Sequence, residues 1–306
     1  MIPRITVVGS IHADLSMWVK QHPQPGETVI GTGGTISPGG KGANQAVAAA
    51  LQGAGVAFVG AIGNDPHALS ATALMVDAGV MMMGVEKRGD STGLAVITVA
   101  EDGENTIVVL PGANAWVTES YVKLHADIIR NAEIVLLQGE IPASGIEAAV
   151  RHATGRVVIN LAPVIPVARE TLLRADPLLA NEHEAARILE LFDTPSAGDP
   201  NIVNDPETMA KELLGAGFSS VVLTLGPNGA LVATPDGLQH VPTPAVTPVD
   251  TTGAGDAFTG ALVARLSEGD TLLDAAKHAC RVAAYTVTGY GAQSSYPTAQ
   301  DPLPEL

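Results

Sequence analysis

Runs of β-branched and aliphatic residues alternate with runs of helical period along most of this 306-residue chain. Arg4–Gly9 predicts a first strand, ending in Gly9-Ser10. Helical periodicity over Gly42–Gln52 closes at Gly53 or Gly55. A strand at Val56–Ile62 and a helix over Pro66–Ala78, stopped by Gly79, come next. The pattern then predicts a helix near Thr118–Arg130, a strand at Ile134–Gln138, a helix near Ala143–Ala153 and a strand at Val157–Leu161. A short strand at Leu178–Ala180 leads to helices over Asn181–Leu191 and Pro206–Leu214. The strand Val221–Leu225 and the pair Ala230–Ala233 and Gln239–Val241 precede two last helices, near Ala254–Ser267 and Leu272–Thr288. Such alternation implies βαβ units, hence an α/β fold with a doubly wound, mostly parallel sheet, and one domain over residues 1–306.

Two stretches break the rhythm. Residues 12–36, approximately, are extended, Gly-rich and non-helical. Residues from about 92 to 111 hold two strands, Thr92–Ala100 and Asn105–Leu110, joined by a turn at Asp102-Gly103. Together they predict a small sheet over the main one, a lid. Ser196–Asp205 is a polar, loop-like insertion.

Composition narrows the class. Apolar residues make up 46% of the chain and aromatics only 3%, which suits parallel strands under small-faced helices. The formal charge of −16 makes nucleic acid and anionic membranes poor partners. No apolar run reaches the ~18 residues of a membrane span, and the N-terminal segment reads as a strand, too short for a signal sequence. Cys280 is the only cysteine, so no intrachain disulfide forms, and a reducing, cytoplasmic setting is expected. Its apolar helical surroundings predict a packing role.

The candidate chemistry lies at element ends. "SPGGKGANQAVAAA" (Ser37–Ala50) fails as a phosphate-binding P-loop twice, because position 35 is Thr and position 42 is Gly. No strand is expected to lead directly into it. A tight turn, Lys41 and Asn44 at a helix start remain, and these suit either neutral hydroxyls and a transferring phosphoryl group or nothing but a helix start. Asp14 lies past the first strand's carboxyl end, where α/β sheets place ligands, and can accept two hydrogen bonds from a diol or close an Asx turn. His12 lies two residues earlier. Glu140 ends the strand in "LLQGEIP"; Asn181, Glu182 and Glu184 follow another, where acids also stabilise a helix start.

"DTTGAGDAFTGAL" (Asp250–Leu262) places Gly253, Ala254 and Gly255 at a helix start, where exposed N–H groups attract anions. Asp256 follows, either as a helix-capping acid or as the base that takes the proton of an attacking hydroxyl while the N–H groups hold the phosphoryl oxygens.

With these residues assembled, the chain resembles the ribokinase/PfkB family of carbohydrate kinases over roughly Ile5 to Pro297. "GGKGANQAVAAA" and "DTTGAGDAFTGAL" carry the likeness, with "GAN" (Gly112–Asn114), "QGEIP", "NEHEA", "TLGPNG" and "GAQSSYP" in order between and after them. The resemblance implies transfer of the γ-phosphoryl group of ATP to the primary hydroxyl (O5) of D-ribose. Alternatives are 2-deoxyribose, another sugar or a nucleoside, and, from another class, a non-catalytic sugar-binding module. It further implies Asp256 as base, Gly253–Gly255 as anion hole and Lys41 at the phosphoryl group. Asp14, Gly40, Lys41, Asn44 and Glu140 would hold the sugar. Asn181 and Glu184 would position phosphate and hydrated Mg²⁺. Thr224, Gly226 and Gly229 would line the nucleotide site, with Cys280 near the base. Asp250, Thr252, Thr286, Gly289, Gly291 and Ser295 match the site of a monovalent activator such as K⁺. The lid of such kinases often pairs two subunits, so a homodimer is expected. His12 stands where the family usually carries Asn, which bears on the choice of sugar.

Overall fold

The structure, a computed structural model, describes residues 3–306, so Met1 and Ile2, the start of the N-terminal segment, lie outside the described residues. The chain opens with β1 (Ile5–Val8), β2 (His12–Val19) and β3 (Gly33–Gly39), then α1 (Lys41–Leu51), β4 (Val56–Ile62), α2 (His67–Asp77) and β5 (Met81–Lys87). The hairpin β6 (Gly93–Ala100) and β7 (Asn105–Leu110) precedes α3 (Glu119–Leu124) and α4 (Ala126–Arg130). Next come β8 (Ile134–Gln138), α5 (Ala143–His152), β9 (Arg156–Asn160), α6 (Arg169–Leu172), β10 (Ala175–Asn181) and α7 (Glu182–Leu191). The last third holds α8 (Pro206–Gly215), β11 (Val221–Thr224), β12 (Ala230–Thr234), β13 (Gly237–Val241), α9 (Ala254–Ser267) and α10 (Leu272–Thr286).

Nine strands form the main sheet in the order β13-β12-β11-β10-β9-β8-β1-β4-β5. From β11 to β5 all neighbours are parallel; β12 and β13 add an antiparallel edge. The central strands "ITVV" and "IVLLQ" are buried throughout, as expected of strands covered by helices on both faces. Two apolar clusters fill those faces, one under α3, α5, α7 and α8, the other under α1, α9 and α10. From β1 the chain winds outward to β4 and β5, then returns to β8 and winds the other way. The order therefore reverses between β1 and β8, and a crevice opens at their carboxyl ends. Among the described residues, no helix is long and apolar enough to cross a membrane.

A second sheet, β3-β2-β6-β7, is built from the two stretches that broke the alternation. His12 pairs with Gly39 and Asp14 with Ser37, so β2 carries both residues from the end of β1 into this sheet.

Three expectations are corrected and one strand is added. First, β3 does lead directly into the Lys41 helix; it belongs to the small sheet, so its glycines read as loop. Second, the segment Thr118–Arg130 is two helices divided at His125, whose ring packs 4.8 Å from that of Tyr121 and whose Nε2 lies 3.2 Å from Glu86 Oε1. Third, β5 had no forecast: "MMM" shows little β signal, and its pairing with β4 forms the edge. Fourth, β10 starts at Ala175, before the apolar run.

Candidate active site

The crevice gathers residues from five strand ends. Past β1, the Ser10 hydroxyl donates to Glu140 Oε2 at 2.6 Å, and the same carboxylate oxygen accepts Lys41 N–H at 2.9 Å. Glu140, just beyond β8, therefore anchors the first turn of α1 from outside, where a negative charge meets the positive end of the helix. His12 is 2% exposed, with Nδ1 3.7 Å from Glu140 Oε2 and, among the described residues, no partner on Nε2. Burial holds its pKa below the usual imidazole range, so the ring is neutral. Gly39 is needed here, because a Cβ on it would come within 2.1 Å of Asp14 Oδ2. Gly40 is the N-cap of α1, with φ +89.

A cleft of about 220 Å³ lies beside this cluster. That is below the roughly 300–1,000 Å³ of sites that engulf a whole ligand, a size suited to reacting groups. Lys41, Asn181, Glu184 and Thr224 line it, facing Gly253, Ala254, Gly255 and Asp256. Gly253 is the N-cap of α9 in the left-handed region, φ +75, and a Cβ there would lie 2.6 Å from both Ala292 Cβ and the Tyr296 hydroxyl. At Gly255 a Cβ would meet nothing within 4 Å, so the helix tip opens onto the cleft. Ala257 N–H is the first to reach back along the helix, to Gly253 O at 2.8 Å, and Ala254 N–H closes a turn on Thr251 O at 3.2 Å. The amides of Gly255 and Asp256 thus belong to the first turn, which has no intrahelical acceptors.

Asp256 does not cap its helix. Its side chain is 7% exposed; Oδ2 accepts Asn44 Nδ2 at 2.9 Å and Oδ1 accepts Gln45 Nε2 at 2.8 Å. Burial pushes its pKa up, while Lys41 and the two amides pull against that rise. Asp256 above all raises the Lys41 pKa, with Glu140 and Glu184 adding against the effect of burial, so its ammonium stays charged. Asn44, expected at the sugar, donates one Nδ2 hydrogen to Asp256 and keeps the other; its Oδ1 accepts Gln293 Nε2 at 2.9 Å. Sequence reasoning missed Gln45, Gln138, Asn160 and Gln293, the amides behind Asp256. One signal was available: two adjacent amides, Asn44-Gln45, in an otherwise small apolar helix.

Asn181 caps α7 and forms a capping box with Glu184: Asn181 Oδ1 accepts Glu184 N–H (2.8 Å) and Glu184 Oε2 accepts Asn181 N–H (2.9 Å). Glu184 serves the helix start and faces the cleft at once, and burial raises its pKa. Gly226 and Gly229 form the turn after β11, both at positive φ. Cys280 is brought into the core rather than the cleft: it is 2% exposed in the α1–α9–α10 cluster, and burial pushes its thiol up to about 12.

The residues matched to a monovalent cation meet at the loops flanking α9 and α10. Asp250 Oδ1 accepts Thr252 N–H at 2.9 Å, and Oδ2 accepts Gly291 N–H at 2.8 Å. Ser295 Oγ donates to Gly291 O at 2.7 Å, and Gly289 N–H donates to Thr286 O at 3.2 Å. Burial alone would raise the Asp250 pKa; bonds from Thr252 and Gly291 outweigh it, so the carboxylate is held below its usual range. One fixed carboxylate among backbone carbonyls is a donor set that fits a large hard cation.

The fold agrees with comparison to known proteins. Residues 3–299 match the pfkB family carbohydrate kinase model. The chain is 35% identical to the ribokinase of Bacillus subtilis, covering 96% of each chain. It is 33% identical to the deoxyribokinase of Salmonella typhi, over 96% of this chain and 95% of that one. The solved structure of Arabidopsis thaliana ribokinase complexed with ribose and ATP superposes with a TM-score of 0.87 at 32% identity, covering 98% of this chain and 97% of that one. The chain belongs to the pfkB family of carbohydrate kinases. Within it the likeness is to ribokinase-type, ATP-dependent sugar kinases, and it runs the length of the chain.

Proposed function

We propose that this kinase transfers the γ-phosphoryl group of ATP to O5 of D-ribose, with Asp256 as general base and the Gly253–Gly255 tip as anion hole. One observation carries the proposal: an ionisable carboxylate, fixed by two amides, shares a cleft with Lys41 and an open helix tip. Asp256 takes the O5 proton as O5 bonds to the γ-phosphorus. The bond from that phosphorus to the β,γ-bridging oxygen breaks in line, and ADP leaves with the electron pair. Lys41 and the first-turn amides stabilise charge on the transferring oxygens. Asp14, Glu140, Gly40 and Asn44 surround the sugar. Thr224, Gly226 and Gly229 lie along the nucleotide.

Asn181 and Glu184 fit hydrated Mg²⁺, which when bound would neutralise phosphate charge. Asp250, Thr252, Thr286, Gly289, Gly291 and Ser295 would hold K⁺. The small sheet would close over the sugar as a lid and pair two subunits into a homodimer. His12 favours a second reading, 2-deoxyribose as acceptor, since a buried imidazole offers other hydrogen bonds than the usual Asn.

Asp256→Asn should lower kcat by about 10²–10⁴ and leave ATP affinity intact; turnover close to that of the unsubstituted enzyme sinks the base assignment. Rates on ribose and 2-deoxyribose, with and without K⁺, separate the two acceptors.

A further inference from the structure

Five side-chain amides lie buried behind the cleft, drawn from four parts of the chain. Asn44 and Gln45 are on α1, Gln138 and Asn160 end β8 and β9, and Gln293 follows α10. Buried amides are costly unless their donors and acceptors are met. A core rich in Ala and Val could have filled this volume with apolar side chains instead.

The network has a single sense. A carboxylate only accepts, so Asn44 and Gln45 must turn nitrogen toward Asp256 and oxygen away. Each oxygen is then engaged: Asn44 Oδ1 by Gln293 Nε2 at 2.9 Å, Gln45 Oε1 by Gln138 Nε2 at 2.7 Å. Gln45 Nε2 also donates to Asn160 Oδ1 at 2.9 Å, and Asn160 Nδ2 donates to Leu179 O at 3.2 Å. The two arms end at Gln138 Oε1 and Gln293 Oε1, which are buried without partners among the described residues. Flipping Asn44 would set its carbonyl oxygen against Asp256. Gln293, donating to the Asn44 oxygen from the other side, also opposes the flip.

The arms differ in what anchors them. Gln45, Gln138 and Asn160 belong to the helix and strands of the main sheet. Gln293 belongs to a connecting segment that also donates Gly291 N–H to Asp250 and the Tyr296 hydroxyl to Gly253 O at 3.1 Å. One short segment thus grips the Asn44 amide, the helix tip and the Asp250 loop.

We propose that Gln293 is a positioning residue for phosphoryl transfer: by fixing the Asn44 amide it holds Asp256 with one lone pair of each carboxylate oxygen engaged and the remaining ones free for the sugar hydroxyl. The inference rests on Asp256 being the general base. Lys41 of α1, Glu140 after β8, Asp14 of β2, Glu184 of α7 and Tyr296 are the titratable groups facing Asp256. Lys41 is the one cation among them, so the amides are the other support for the ionised carboxylate.

The test is kcat against pH at saturating ATP and sugar for Gln293→Met, which keeps the bulk, and Gln293→Glu, which keeps the shape. The acid limb should move up by about one pH unit, as for one weakened hydrogen bond to a charged group, and kcat on the acid side of the limb should fall by up to about tenfold. The deficit should shrink at alkaline pH, with ATP affinity unchanged. An acid limb superimposed on that of the unsubstituted enzyme, or a deficit equal at every pH, overturns the inference. In the unsubstituted protein, the side-chain amide NMR signals of Asn44 and Gln45 should titrate with the acid limb; signals that do not follow it also overturn it. Asp256→Asn separates the two levels: turnover kept there removes the base and this inference together, whereas turnover lost there with an unmoved limb in Gln293→Met removes this inference alone.

Discussion

The carboxylate of Asp14 has one oxygen, Oδ1, buried and without a hydrogen-bond partner among the described residues. Burial pushes its pKa up to about 7 from an ordinary 3.8, with Glu140 and Asp256 adding repulsion. The sign for stability follows from linkage. A carboxyl whose folded pKa is raised contributes stability that is complete below 3.8 and lost as pH rises through about 7. Without sugar, this residue therefore weakens the fold at neutral and alkaline pH. Asp14→Asn should raise Tm at pH 8, a gain in stability on the order of a few kcal/mol at most that vanishes toward pH 4. Sugar affinity should fall in the same variant. A Tm difference independent of pH would show that water already satisfies Oδ1.

At the scale of elements, the passage from the main sheet into the small one is held by Asn114. Its Oδ1 accepts Ile11 N–H and its Nδ2 donates to Ile11 O, both at 2.9 Å, so a side chain pairs with backbone as a neighbouring strand would. Asn114→Ala should cost roughly 2–5 kcal/mol by leaving both backbone groups unpaired in a dry site, read as a lower denaturant midpoint. A loss under about 0.5 kcal/mol, typical of a surface change, would deny it that role. The "GAN" tripeptide was visible in the sequence; its target, 103 positions away, was not. The same division holds elsewhere. The helices α1 and α9 and the buried strands β1 and β8 were legible because period and punctuation are local. The strand β5 was not, because "MMMGVEK" becomes a strand only by pairing with β4. Gln45 stood in plain view, but its partners lie 93, 115 and 211 positions away and only the fold brings them to it.

For the whole molecule, the question is what covers the small sheet. Its edge strand β7 is exposed along its length, and Ile107, Val108, Val109 and Leu110 are between 44% and 62% exposed. Trp18 and Ile36, on β2 and β3, are exposed as well. A long apolar edge invites pairing with another chain. The formal charge of −16 works against association of two copies at long range, and salt screens that repulsion within about 10 Å at 0.1 M. If the proposed dimer forms through this sheet, sedimentation at fixed K⁺ should show tighter association as an inert salt is added. Ile107→Lys with Val109→Lys should give monomers at every salt concentration. The thermal midpoint should change little, because the main sheet and both apolar clusters lie elsewhere. Sugar KM should rise, because Asp14 and His12 sit on β2, and a lid without its partner holds them less firmly over the acceptor. Monomers of the unsubstituted protein at micromolar concentration, or a doubly substituted dimer, would move the contact to another face and leave the exposed strand to be explained by closure alone.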